Sequence, residues 1–183
     1  MKMNHRLIIL LLISVILVSC QKNVSRIKKI DVLVAKIDKN IKDKKYNMIQ
    51  PDMLTHYSSP IKFYYWEDEL MQIETADGGI GGFCNDKYYI DSGKLVFYYS
   101  ECGSLKSDYS EKSDTIHFDS NSCKITLKKV YFSDNSTSFV GESNSETVEL
   151  FKKEETVIKD ELIFLTNLIV DYKKSTAINS TYP

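Results

Sequence analysis

The sequence predicts an α+β domain: an antiparallel β-sheet of about six strands, packed by an N-terminal and a C-terminal helix. Three observations carry that expectation. Apolar residues recur three or four apart near both ends, at Ile27, Ile30, Val34, Ile37 and Ile41 and again at Ile158, Leu162, Leu165, Ile169 and Tyr172. Between them run segments with period-two alternation, fed by 12 Tyr and 8 Phe. Turn-forming clusters such as "DSG", "DSNS" and "DNSTS" punctuate those segments. A chain of 183 residues suits one domain. Only 3 Pro and 7 Gly argue against a disordered or fibrous chain. Lys and Arg total 24 against 25 Asp and Glu, so no basic excess points to nucleic acid.

The first residues read as an address. "MKMNHR" carries Lys2 and Arg6, and the apolar run "LIILLLISVILV" follows. That run is too short to span a bilayer and has the plan of an export signal. It ends in "LVSC", which resembles a bacterial lipobox. The resemblance implies cleavage after Ser19 and lipidation of Cys20. Residues 1–19 are then a signal peptide, 20–26 a lipidated tether, 27–174 the domain and 175–183 a flexible tail. The competing reading is an ordinary signal peptide with a chance cysteine at its end. Several acyl chains hold a protein durably where one does so only marginally, and the resemblance implies a multiply acylated Cys20. The bilayer is therefore the first expected partner. Gln21 in place of aspartate looks like outer-membrane delivery. The start "CQKN" partly resembles the surface-export signal of Bacteroidota lipoproteins but lacks its acidic part, which leaves the periplasmic and the outward side both open. Removal of residues 1–19 leaves 22 basic and 25 acidic side chains, a net charge of about −3 with no polybasic segment to add membrane affinity.

The elements follow in order. Ser25 can cap a helix whose stripe, widened by Leu33, faces a sheet, while Lys28, Lys29, Asp31, Lys36, Asp38 and Lys39 face water. The stripe lasts about two heptads, too short for a coiled coil. "IKFYYW", "EDE" and "LMQIETA" read as one hairpin, and "DKYYI", "DSG" and "KLVFYYS" as a second. Gly93 can take the positive φ that closes the second turn with a bulge, and Asp91 can hydrogen-bond within it. "DTIHF" and "CKITLKKVYF" give two more strands, and Phe139 with Val140 a short edge strand. The chain turns helical again by Glu155, with a start as early as Glu146, and "DELIFLTNLIVDY" is apolar enough to cover a sheet face.

Most chemical readings fail on spacing or context. "GGIGG" lacks the Lys-Ser or Lys-Thr of a phosphate loop and precedes a strand, so it reads as a link between two hairpins. With Cys20 assigned to lipid, Cys84, Cys102 and Cys123 remain, and an exported chain meets oxidising surroundings. Cys84 and Cys102 flank the second hairpin. A simple register puts Cys84 opposite residue 100 or 101, so a bulge would bring Cys102 into place; Cys102 with Cys123 is the alternative pairing. Three scattered cysteines with His56 and His117 do not make a zinc knuckle, and no catalytic set or cofactor is expected. Glu67, Asp68 and Glu69 read as a charged turn.

The tyrosines come in adjacent pairs, at 64–65, 88–89 and 98–99, so both sheet faces carry rings. With one face under helices, Tyr64, Trp66, Tyr89 and Tyr98 are the candidates for an exposed binding face, since Tyr and Trp suit interfaces. The run "YYIDSGKLVFYY", with Tyr88, Tyr89, Asp91, Gly93, Lys94, Leu95, Phe97 and Tyr98, resembles the hairpins of small Bacteroidota lipoproteins without an assigned activity. With the lipobox, this likeness covers about a fifth of the chain. It implies a style of sheet and no catalytic residues. The expectation is a cell-envelope lipoprotein acting as a non-enzymatic binding module for a protein, peptide or envelope component. An envelope-acting hydrolase and a structural accessory subunit are the alternatives.

Overall fold

The computed structural model describes residues 5–52, 57–79, 81–110, 115–133, 137–141 and 148–179, with side chains at 24–52, 57–79, 81–105, 107, 123–133, 137 and 153–176. Helix α1 (His5–Lys42) is followed by strands β1 (Asn47–Ile49), β2 (Lys62–Trp66), β3 (Glu69–Gly79) and β4 (Gly82–Asp91). Then come β5 (Lys94–Ser110), β6 (Thr115–Tyr131), β7 (Ser138–Gly141) and helix α2 (Val148–Asn179). The seven strands lie in one sheet in sequence order, each antiparallel to the next. The expected architecture is observed: an antiparallel sheet flanked by an N-terminal and a C-terminal helix.

The α1 stripe forms for the reason its spacing gives, with Ile30 and Ile37 buried on one side. Its end is a Schellman closure. Lys44 takes a left-handed φ of 56°, Lys45 N–H donates to the Asn40 carbonyl and Lys44 N–H to that of Ile41. Lys39 and Lys42 in the last turn complement the helix dipole. The helical backbone runs unbroken through residues 20–26, the segment expected as a tether. At the other end α2 continues to Asn179, so the tail expected from residue 175 begins as helix.

Each turn has a local cause. Ser92 and Gly93 both have positive φ, 51° and 74°, the condition for a two-residue hairpin whose twist matches its strands. The glycine run joins the β2–β3 hairpin to the β4–β5 hairpin, as expected, and with Gly79 opposite Gly82 it also turns β3 back along β4. At Gly82 a Cβ would run into the carbonyl oxygen of Gly103 on β5, so this close approach requires glycine. One expectation needs correction: the two strands expected in "DTIHF" and "CKITLKKVYF" form a single strand, Thr115–Tyr131. Leu105 faces Cys123 and Lys106 faces Asp119, so Ser120, Asn121 and Ser122 bulge out of the ladder where a turn was expected.

The core is double. Phe63, Ile73, Tyr88, Tyr98 and Val130 pack with Ile158, Leu165 and Ile169 of α2. Their chain neighbours Tyr89, Phe97 and Tyr131 pack with Ile30 and Ile37 of α1. Because strand neighbours point to opposite faces, the two helices cover opposite faces of the sheet. Toward the far ends of β4 and β6, Phe83, Ile125 and Leu127 are exposed.

Candidate functional site

The four aromatic residues expected to share an exposed face do not. Tyr64, Tyr89 and Tyr98 are 9%, 2% and 8% exposed, and only Trp66, at 45%, is open. The cause is the second helix: with both faces covered, Tyr88 and Tyr98 pack in one core and their neighbours Tyr89 and Tyr99 with the other, while Tyr64 donates to Glu74 at 3.1 Å. Tyr89 donates its hydroxyl hydrogen bond to Asp38 Oδ1 at 2.9 Å, and Gln72 Nε2 donates to the same oxygen at 3.1 Å. Tyr131 donates to Asp31 at 2.8 Å. The two acids expected to face water thus latch α1 to the sheet. Their spacing of seven residues, two helical turns, was the available signal. Trp66 stands edge-on to Tyr46, with ring centroids 5.7 Å apart.

Burial, then nearby carboxylates, pushes these phenols up. Tyr64 rises to about 12 beside Glu74, and Tyr131 to about 12 beside Asp31. Burial likewise raises Tyr88, Tyr89 and Tyr98, with Asp38 adding to Tyr89 and Asp86 to Tyr98.

The cysteines pair as the hairpin suggests. Cys84 and Cys102 form a disulfide, and Cys123 is a free, exposed thiol. The register explains the pairing. Ile90 faces Leu95 but Tyr89 faces Phe97, so Val96 is a bulge residue that advances every later pair by one. Without that bulge Cys84 would oppose Glu101. The Val96 carbonyl accepts the Phe132 N–H at 3.0 Å, which ties the bulge to the end of β6.

A polar seam lies between the sheet and α2. Tyr98 donates to Asp86 at 2.8 Å, and Lys128 pairs with Glu154 at 3.1 Å. Thr75 Oγ1 and Glu154 Oε2 are buried with no hydrogen-bond partner. Among the described residues no group of three or more His, Cys, Asp and Glu side chains could hold a metal. His56 and the side chain of His117 lie outside the described residues. Glu67, with φ 53°, and Asp68 form the β2–β3 turn, as their charge suggested.

One concavity among the described residues is a feature the sequence did not reveal. It lies between α1 and α2 at the β4–β5 turn and measures about 840 Å³, within the range of small-molecule sites. Its apolar wall includes Ile30 and Leu33 of α1, Leu95 and the bulge residue Val96 of β5, and Leu162 and Ile163 of α2. Arg26, Lys29, Lys94 and Lys159 supply cations, against the single carboxylate of Asp91. Arg26 donates to the Phe132 carbonyl, and the Lys159 ammonium stands 5.9 Å from the Phe132 ring centroid while pairing with Glu155. That pairing holds the Glu155 carboxyl below its ordinary value. The arrangement offers apolar contact beside a fixed set of positive charges. Such a cleft can bind and orient a molecule.

No protein-family model, curated protein or solved structure matches this chain.

Proposed function

We propose that the chain is a lipid-anchored cell-envelope protein that acts as a non-enzymatic binding module, with the cleft between α1 and α2 as its ligand site. The observation that carries the binding role is the cleft itself: a concavity with an apolar wall and a clustered set of cations. The anchor rests on the lipobox likeness at Leu17, Val18, Ser19 and Cys20. In this reading the acylated Cys20 inserts in the bilayer, by the sorting likeness the outer membrane, and the domain stands beside it. Metabolic labelling with a fatty acid tests the anchor. The wild-type chain takes up label and sediments with membranes, and Cys20→Ser loses both. Equal labelling of the two forms, or none in either, overturns the address.

A second reading, an accessory subunit of an envelope complex, is favoured by one observation. The exposed Phe83 on β4 and Ile125 on β6 flank Gly103 of β5 in one cross-strand row, next to the exposed Leu127. A native gel of solubilised envelopes tests it: the chain migrates in a larger assembly that Ile125→Asp with Leu127→Asp dissolves. Migration at the monomer position before substitution removes this reading.

A further inference from the structure

We propose that the cleft between α1 and α2 takes a single-chain anionic amphiphile, an acyl chain ending in a carboxylate or phosphate, with its head at the basic rim. This deepens the binding role proposed above and rests on the cleft being the ligand site.

The charge distribution is the first argument. The whole chain carries a formal charge of −1. Around this one cleft stand Arg26, Lys29, Lys94 and Lys159, with Asp91 in the lining and Glu155 taken up by Lys159. The cations come from three separate segments of chain, α1, β5 and α2, and the fold gathers them. Lys29, Lys94 and Lys159 are exposed, so their ammonium groups sit where water meets the rim. A concave wall of low dielectric focuses such a field on an entering anion.

The wall is the second argument. Leu33, Leu95, Val96 and Leu162 are half-buried, and Ile163 is 57% exposed on the lip. An inorganic anion would gain nothing from these side chains, and a neutral lipid nothing from the cations. An amphiphile with one charged end uses both.

Position is the third argument. Arg26 lies six residues after Cys20 on one continuous helix, which puts the rim about 9 Å along the axis from the anchor residue at 1.5 Å per residue. With Cys20 acylated, the cleft opens close to the bilayer surface, where single-chain amphiphiles partition.

Binding of a dansyl-tagged undecanoic acid to the full chain in neutral-lipid nanodiscs tests the inference, with empty nanodiscs as baseline. Its methyl ester and the neutral dye Nile red serve as comparison probes. The acid is expected to bind at least about tenfold more tightly than the ester, and Lys29→Glu with Lys94→Glu to erase about that much. Ile163→Asp, at an exposed position that leaves the core intact, weakens both the acid and the dye. Circular dichroism verifies that each variant keeps its fold. Equal binding of acid and ester, with dye binding still lost in Ile163→Asp, overturns the amphiphile while leaving the cleft as a site. No saturable binding of any probe overturns the cleft as well.

Discussion

Tyr89 of β4 and Asp38 of α1 meet through a 2.9 Å hydrogen bond, the phenol donating to carboxylate Oδ1. The same oxygen receives Gln72 Nε2, and both donor residues are only 2% exposed. One carboxylate therefore satisfies two buried donors that would otherwise face an apolar helix–sheet interface. Asp38→Ala removes the acceptor that both donors share and should lower stability by about 2–4 kcal/mol, while Tyr89→Phe removes one donor and should cost about 1 kcal/mol. Urea unfolding followed by circular dichroism measures the difference. Equal small losses for both variants would show that Asp38 does not hold α1 down.

Alkaline pH should unfold the domain through its tyrosines. Tyr64 and Tyr131 are raised from the ordinary value of 10.0 to about 12, and Tyr88, Tyr89 and Tyr98 are raised by burial as well. A raised folded value means that the fold favours the neutral phenol. The stability this contributes is complete below pH 10 and drains away as the pH climbs from 10 through 12. Tyrosinate absorbance and circular dichroism, recorded together, should show these phenols ionising as the fold is lost. Ordinary titration of every tyrosine near pH 10 with the spectrum of the fold unchanged would contradict their burial.

The disulfide joins residues 18 apart in sequence across the β4–β5 hairpin. Chain-entropy arguments put its worth at roughly 3 kcal/mol, so the paired variant Cys84→Ser with Cys102→Ser should lose about that much. Cys123→Ser, at an exposed free thiol, should change stability by less than about 0.5 kcal/mol. Peptide mapping without reductant should recover Cys84 joined to Cys102. A Cys102–Cys123 peptide would show that the Val96 bulge does not set the register.

Thr75 is 1% exposed, and its hydroxyl oxygen has no partner. Thr75→Val keeps the shape, removes an unsatisfied polar group and favours a strand. It should raise stability by about 1 kcal/mol in thermal unfolding. A loss of similar size would mean that the hydroxyl is bonded in solution.

What the sequence disclosed, and what it concealed, follows from how local each cause is. The stripes at Ile30–Ile37 and Ile158–Ile169 and the turn at Ser92–Gly93 are set by residues a few positions apart, so they were legible. The Cys84–Cys102 pairing needed only a one-residue bulge beyond that local pattern. The placement of Tyr64, Tyr89 and Tyr98 needed knowledge of which face each helix covers. Alternation alone does not say that both are covered. Asp31 and Asp38 looked like solvent-facing charges because nothing nearby in sequence shows Tyr131 and Tyr89 waiting on the sheet. The cleft was the least legible feature. Arg26, Lys94, Phe132 and Lys159 come from four segments, and no spacing rule links them before the chain has folded.

Photo-crosslinking decides whether the cleft proposed between α1 and α2 captures a ligand. A diazirine-bearing fatty acid is irradiated with the full chain in neutral-lipid nanodiscs, and adducts are located by mass spectrometry. Labelling should concentrate on the peptides holding Leu95 and Val96 and on that holding Ile163, and an excess of unlabelled fatty acid should suppress it. Adducts concentrated at the exposed Phe83 and Ile125, or spread along the chain without competition, would contradict it.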